Sequence, residues 1–175
     1  MIVLYQYPGI ARGATLSPPC AKVQMALAYK ALAYRVHDCS TPMEVKRVNP
    51  RGRVPALRID DAIVVDSSDI LSHLDVIQPA PPLMPDSQQD QAMAQVLEDW
   101  ADEALYFYGL YLRWCTPDGF ARMKSVVLSK MPFPVRLIVP VIARRETAKR
   151  SRAQGVGLKD ARRSCGNSVR RWMRS

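Results

Sequence analysis

Four of the eight residues from 78 to 85 are proline (Pro79, Pro81, Pro82 and Pro85), and this stretch constrains the fold more than any other. Each ring fixes φ, removes an N–H donor and disfavours helix at the preceding residue, so neither a helix nor a central strand runs through it. The sequence therefore reads as a segment over residues 1–77, a stiff connector over 78–85, and a further segment from residue 86. With 175 residues, 48% of them apolar, there is material for one ordinary domain or two small ones with a sizeable core. No run approaches the roughly 18–20 consecutive apolar residues of a spanning helix, and no basic region precedes an apolar block at the N-terminus. A soluble, unsecreted, cytoplasmic protein is expected. Cys20, Cys39, Cys115 and Cys165 are scattered, with neither zinc-type pairs nor the density of a disulfide scaffold, so a reducing compartment fits and no metal is expected.

In the first segment, Ile2-Val3-Leu4-Tyr5-Gln6-Tyr7 has the length and β-rich composition of a buried strand and is ended by Pro8-Gly9. After a loop, Ser17 is a good N-cap and Pro18 suits a first helical turn, while Val23, Ala26, Leu27 and Leu32 recur at helical spacing. Tyr34-Arg35-Val36-His37 reads as a second strand, and Thr41-Pro42-Met43-Glu44 supplies cap, N1 proline and acidic N3 residue for a short second helix. Beyond the break at Asn49-Pro50-Arg51-Gly52, residues 54–59 and 63–65 form a hairpin turned at Asp60-Asp61. Ser67 or Ser68 then caps a third helix with Ile70, Leu71, Leu74 and Ile77 on its apolar face. The order βαβ followed by ββα is that of a small α/β domain with a mixed four-stranded sheet.

Residues 86–115 read as one long helix whose apolar face holds Met93, Val96, Leu97, Trp100, Ala104, Phe107, Leu110 and Tyr111. Pro117 opens another helix to about residue 130, Pro132 and Pro134 interrupt it, and residues 135–150 make a basic helix kinked or restarted at Pro140. The formal charge of +9 resembles a nucleic-acid signal until it is located: residues 1–143 carry 14 basic and 14 acidic side chains, so the excess lies entirely in residues 144–175. Clustered arginines there fit phosphates or an anionic membrane. Without interleaved aromatics or a reader motif, the reading preferred is a disordered tail over 156–175.

Three short motifs carry chemistry. Ser17-Pro18-Pro19-Cys20 lies between strand and helix with the spacing of a thioredoxin-type C-x-x-C, serine replacing the outer thiol, and helix N-terminal N–H groups favour a thiolate there. Its plainer reading is an N-cap and a buried small residue. Val54-Pro55 at a strand entry suits a cis bond, with Val54 offering main-chain groups to a peptide ligand; the alternative is an ordinary trans proline. Asp66-Ser67-Ser68-Asp69, where a strand hands over to a helix, can hold an α-amino-acid end, the carboxylate on N–H groups and hydroxyl and the ammonium on Asp66; alternatively it only caps the helix.

Together, Ser17-Pro18-Pro19-Cys20-Ala21-Lys22-Val23, Asn49-Pro50-Arg51-Gly52-Arg53-Val54-Pro55-Ala56-Leu57 and Asp66-Ser67-Ser68-Asp69-Ile70 make the chain resemble the cytosolic glutathione S-transferase family of the serine type. Leu97-Glu98-Asp99-Trp100-Ala101-Asp102-Glu103 extends the likeness to the family's long fourth helix. The resemblance implies a thioredoxin-like glutathione-binding domain over 1–77, the linker 78–85, and an all-helical domain over 86–155 that is incomplete. It further implies that Ser17 holds the glutathione sulfur as thiolate, Val54 pairs with the cysteinyl unit beside cis-Pro55, Asp66 and Ser67 hold the γ-glutamyl end, and Arg53 meets the glycyl carboxylate. Glutathione would be the co-substrate and a small electrophile, in a detoxifying reaction, the partner substrate, lined on the helical side by residues such as Tyr106, Phe107 or Tyr111. The family usually dimerises.

Two rival readings stand beside this. Cys20 as the reactive group would make a thiol-disulfide reductase, and Tyr5 or Tyr7 could supply the hydroxyl donor, although Ser17 matches better. The departure of the C-terminal residues from the family pattern, with Val126, Leu128, Ile138 and Val139 left exposed or covered by a second chain, also admits a non-catalytic interaction module.

Overall fold

The computed structural model describes residues 1–9, 11, 13–127, 133 and 135–156. The arginine-rich tail from residue 157, Cys165, Leu128 and the proline interruption at Pro132 and Pro134 lie outside the described residues. The chain divides into two compact units, Met1–Gln91 and Ala92–Ser175.

The first unit contains β1 (Ile2–Gln6), α1 (Pro18–Tyr29), β2 (Tyr34–Asp38), α2 (Pro42–Val48), β3 (Ala56–Ile59), β4 (Ala62–Val65) and α3 (Ser67–Ile77). Its sheet has the order β2-β1-β3-β4, with β1 and β2 parallel and the other pairs antiparallel. This is the mixed four-stranded sheet expected from the βαβ-ββα order, and it has the thioredoxin-like plan that the resemblance implies. Its core forms where Leu4 and Leu57 of the sheet meet Val23, Ala26 and Leu27 of α1 and Ile70 and Leu74 of α3. Truncating any of these buried leucines costs about 2–5 kcal/mol, because the space they fill collapses only in part.

Local chemistry explains where elements begin. Proline 55 cannot donate to a ladder, so β3 starts at Ala56 rather than at Val54. The helix α2 is capped as expected, Thr41 accepting from the N–H of Glu44. In α3 the cap is not Ser67 or Ser68 but Asp66, whose carboxylate accepts the Ser68 N–H at 3.0 Å with its own φ at 80°. That backbone is strained for a residue with a side chain, and it is held because the carboxylate competes better for the N–H than a hydroxyl one position inside the helix.

The connector is fastened to the core by a buried cation. Lys30, at the end of α1 and 1% exposed, places its ammonium 2.6 Å from Asp75, 2.5 Å from the Gln78 carbonyl and 2.9 Å from the Pro81 carbonyl. The Gln78 amide donates back to the Lys30 carbonyl at 2.7 Å, and Leu83 packs on the core.

In helical residues of the second unit and the connector's end, α4 (Gln88–Trp100), a π-helical turn (Ala101–Leu105) and α5 (Tyr106–Trp114) follow without a break; α6 (Pro117–Val127) and α7 (Val135–Ala153) come next. The single long helix expected over 86–115 is therefore present but widened by one π turn, which a 3.6-residue apolar period cannot reveal. Pro140 lies inside α7 without ending it. No residue of α4 is buried, and Met93, Val96, Leu97 and Trp100, expected on its apolar face, stand exposed. Ile138 is likewise exposed, together with Leu137, Val141 and Ile142, whereas Val126 and Val139 are half-buried.

Candidate functional site

The strand register gathers the three motifs. His37, Tyr5, Ala56 and Val65 form one row across all four strands. The chain leaves β1 toward Ser17 and leaves β4 into Asp66 just beyond that row, and it arrives through Val54-Pro55 just before it. All three motifs therefore open on one edge of the sheet, the edge to which α1 and α3 present their N-termini. In α/β sheets this edge is where ligands meet unpaired N–H groups. The Lys22 ammonium, 3.3 Å from the Ser68 hydroxyl, bridges the first turns of the two helices.

Ser17 sits at the N-cap of α1 with φ −90° and ψ 115°, but its hydroxyl makes no capping bond. Its N–H donates to the Thr15 hydroxyl at 3.1 Å. The hydroxyls of Ser17 and Thr15 act on the Cys20 sulfur, which is fully buried. Burial dominates and pushes the Cys20 thiol up to about 11, the two hydroxyls pulling the other way and Cys39 adding to the rise. At neutral pH a thiol so placed is ionised in only ~1 molecule in 10,000. Tyr7, half-buried on the same edge, has its phenol pushed above its ordinary value by burial and then by Cys39 and Cys20. Tyr5 instead lays its ring against His37, with centroids 5.0 Å apart.

Val54 precedes a cis bond to Pro55. Its residue lies outside β3, and among the described residues its main-chain N–H and C=O have no backbone partner. The approach is fixed by Asn49, a buried side chain that donates to the Arg53 carbonyl at 2.7 Å and accepts the Arg51 N–H at 3.0 Å. Gly52 within that turn has φ +67°, a conformation that a side chain would strain. Arg53 is exposed, Asp66 is exposed and Ser67 is buried. The Asp66 carboxylate spends one oxygen on the Ser68 N–H, which leaves the other free to accept a ligand's ammonium.

Several positioning residues are not visible from motif spacing. Gln6, buried at the end of β1, donates to the Ala14 carbonyl and to Asp38, both at 3.0 Å. Gln24 donates to Gln6 at 2.8 Å and to the Gly13 carbonyl at 2.7 Å. These glutamines pin the loop that delivers Ser17. Gly9 is required where that loop closes, since a Cβ there would lie 2.3 Å from the Ala14 carbonyl oxygen. A lone glutamine at the end of an apolar strand was the available signal for Gln6; Thr15 and Asn49 had none of their own.

Comparison with known proteins bears on the fold. Residues 13–82 match the family model described as Glutathione S-transferase, N-terminal domain. Over 86 residues the chain is 30% identical to the maleylacetoacetate isomerase of Mus musculus, covering 45% of this chain and 40% of that protein. It is 35% identical over 81 residues to glutathione S-transferase Z2 of Arabidopsis thaliana, covering 42% and 36% respectively. The chain thus spans well under half the length of these curated relatives. Among solved structures, a Burkholderia glutathione transferase homolog with bound glutathione superposes with a TM-score of 0.51 at 18% identity, over 87% of this chain and 98% of that one. A Methylobacterium radiotolerans glutathione S-transferase in complex with glutathione sulfonate gives 0.54 at 23% identity, over 87% and 64%. At such identities the likeness is one of fold.

Proposed function

We propose, starting from the glutathione S-transferase N-terminal domain that this chain carries over residues 13–82, that it binds glutathione on the sheet edge described above and activates its thiol through Ser17. The Ser17 hydroxyl, which makes no capping bond to its own helix, donates its proton to the glutathione sulfur. A hydrogen bond to an anion is worth ~1.5–3 kcal/mol, and the N-terminal end of α1 adds to it. Val54 pairs through its main chain with the cysteinyl unit, Asp66 accepts the γ-glutamyl ammonium, Ser67 donates to the adjoining carboxylate, and Arg53 faces the glycyl carboxylate. The thiolate then forms a carbon–sulfur bond to a small electrophile, whose leaving group or displaced electron pair is protonated from solvent. The protein supplies orientation and charge stabilisation; glutathione supplies the nucleophile.

The observation that carries this reading is the strand row that brings Ser17, Val54 and Asp66 to one edge. A Cys20-dependent reductase draws less support, because a fully buried thiol near pKa 11 is a poor nucleophile. A second reading, a non-catalytic interaction module with the same fold, is favoured by the exposed Met93, Val96, Leu97 and Trp100 of α4. Retention on immobilised glutathione, paired with conjugation of a generic electrophile, separates them: binding with turnover supports the transferase, binding without turnover the module. Absence of binding removes both cofactor and mechanism.

A further inference from the structure

We propose that His37, Cys39 and Glu44 form a binding site for a zinc-class divalent cation at the junction of β2 and α2. Their ligand atoms, one nitrogen, one sulfur and one carboxylate oxygen, all lie within 4.8 Å of one another. A tetrahedral ion with bonds of ~2.0–2.3 Å holds its ligands ~3.3–3.8 Å apart, so the trio closes on a cation by side-chain rotation of about 1 Å. His37 and Cys39 are two residues apart on extended backbone and share a face. The first turn of α2 brings Glu44 back over them.

The supporting contacts are those a ligand set needs. The Cys39 N–H donates to the Gln6 carbonyl at 2.8 Å, which fixes the cysteine to the central strand. One Glu44 oxygen accepts the Ser40 N–H at 2.7 Å and orients the carboxylate, and the His37 ring rests on Tyr5. Outer contacts of this kind set ligand direction.

A second observation points to a cation independently. Cys39 is 1% exposed, and among the described residues its thiol has no hydrogen-bond partner. The charged side chains nearest to it, Glu44 and Asp38, are both acidic. A cation is the complement that this surrounding lacks. Thiolate and carboxylate together balance a 2+ ion, with His37 as neutral imidazole and the thiol proton released to solvent. One nitrogen, one sulfur and one oxygen donor suit zinc or cobalt and do not suit magnesium or calcium. Exposed His37 gives the ion its way in and leaves the fourth position to water. The site lies on the edge that carries Ser17, yet it stands apart from the glutathione reading.

The test is titration of the full chain with Co2+ alone, followed by Zn2+ competition. The expected result is one equivalent bound, with the near-ultraviolet thiolate-to-cobalt band and the visible bands of four-coordinate cobalt, both lost when Zn2+ displaces it. Cys39→Ser removes the thiolate band. Exposed His37→Ala, which leaves the core untouched, and Glu44→Gln each weaken Zn2+ binding by at least ~10-fold, since even outer-sphere losses reach that size. Failure of the wild-type chain to bind, an unaltered band in folded Cys39→Ser, or unchanged Zn2+ affinity in His37→Ala overturns the assignment. Should Cys39→Ser not fold, the His37→Ala titration decides.

Discussion

Replacing Lys30 by methionine keeps the aliphatic stem in place and deletes only the ammonium. In the native fold that group has three N–H donors and three acceptors, Asp75 at 2.6 Å and the carbonyls of Gln78 and Pro81 at 2.5 and 2.9 Å. The lysine side chain is 0% and Asp75 28% exposed, so the ion pair itself has little access to water, whereas Pro81 is exposed. Breaking a buried pair from one side costs ~3–5 kcal/mol. Asp75 retains the Leu83 N–H at 3.0 Å, which places the expected loss near the lower end, about 3 kcal/mol. All three tryptophans lie beyond residue 91, so the readout is hydrogen exchange in α1 and α3 peptides across a urea series. With an m-value of ~2 kcal/mol/M the midpoint of these peptides falls by ~1.5 M. Lys30→Met/Asp75→Leu regains part of the loss, because removing both charges leaves neither stranded. A single variant within ~0.5 kcal/mol of wild type, or a double variant no more stable than the single, shows that the buried ammonium does not hold the connector.

Raised from 9.0 to about 11 in the fold, the Cys20 thiol keeps its proton where the unfolded chain loses it. Its contribution is therefore fully present below pH 9 and is lost as pH rises through about 11, by up to ~2.7 kcal/mol, and Cys20→Ala flattens that part of the urea-stability profile. An identical slope in the variant contradicts the assignment. Asn49→Ala frees the turn that delivers Val54, and calorimetric glutathione affinity is expected to fall by about 10-fold while Ser17-dependent thiol ionisation in the bound state persists. Unchanged affinity counts against Asn49 as a positioning residue. Ser17→Ala lowers kcat by ~10–100-fold with a much smaller change in glutathione KM, as fits a group that acts on the thiolate; equal effects on both parameters count against that role.

The βαβ-ββα order was legible because each element of the first unit is punctuated by residues with one backbone meaning: Pro8-Gly9, Pro42 after Thr41, Asp60-Asp61. Where the reading slipped, two local signals competed. Asp66 took the cap of α3 from the serines beside it, and Pro55 held β3 back to Ala56. The π turn at Ala101–Leu105 and the exposed stripe on α4 lay beyond reach, since apolar periodicity states which residues share a face and not whether anything covers it. Ser17, Val54-Pro55 and Asp66-Ser67 could be picked out because each motif is contiguous. Asn49 acts within its own turn, but Gln6 and Gln24 act across loops, and His37, Cys39 and Glu44 converge only once β2 is registered on β1 and α2 folds back. Such partners carry no spacing rule.

The charge on the glutathione sulfur is measured by titrating the thiol of bound glutathione through its ultraviolet thiolate absorbance. Free thiols titrate near ~8.5, and a hydrogen bond of ~1.5–3 kcal/mol from Ser17 lowers the bound thiol by about 1–2 units, a shift that Ser17→Ala reverses. A bound thiol that titrates like free glutathione, or one equally acidic in Ser17→Ala, rules out thiolate stabilisation by Ser17.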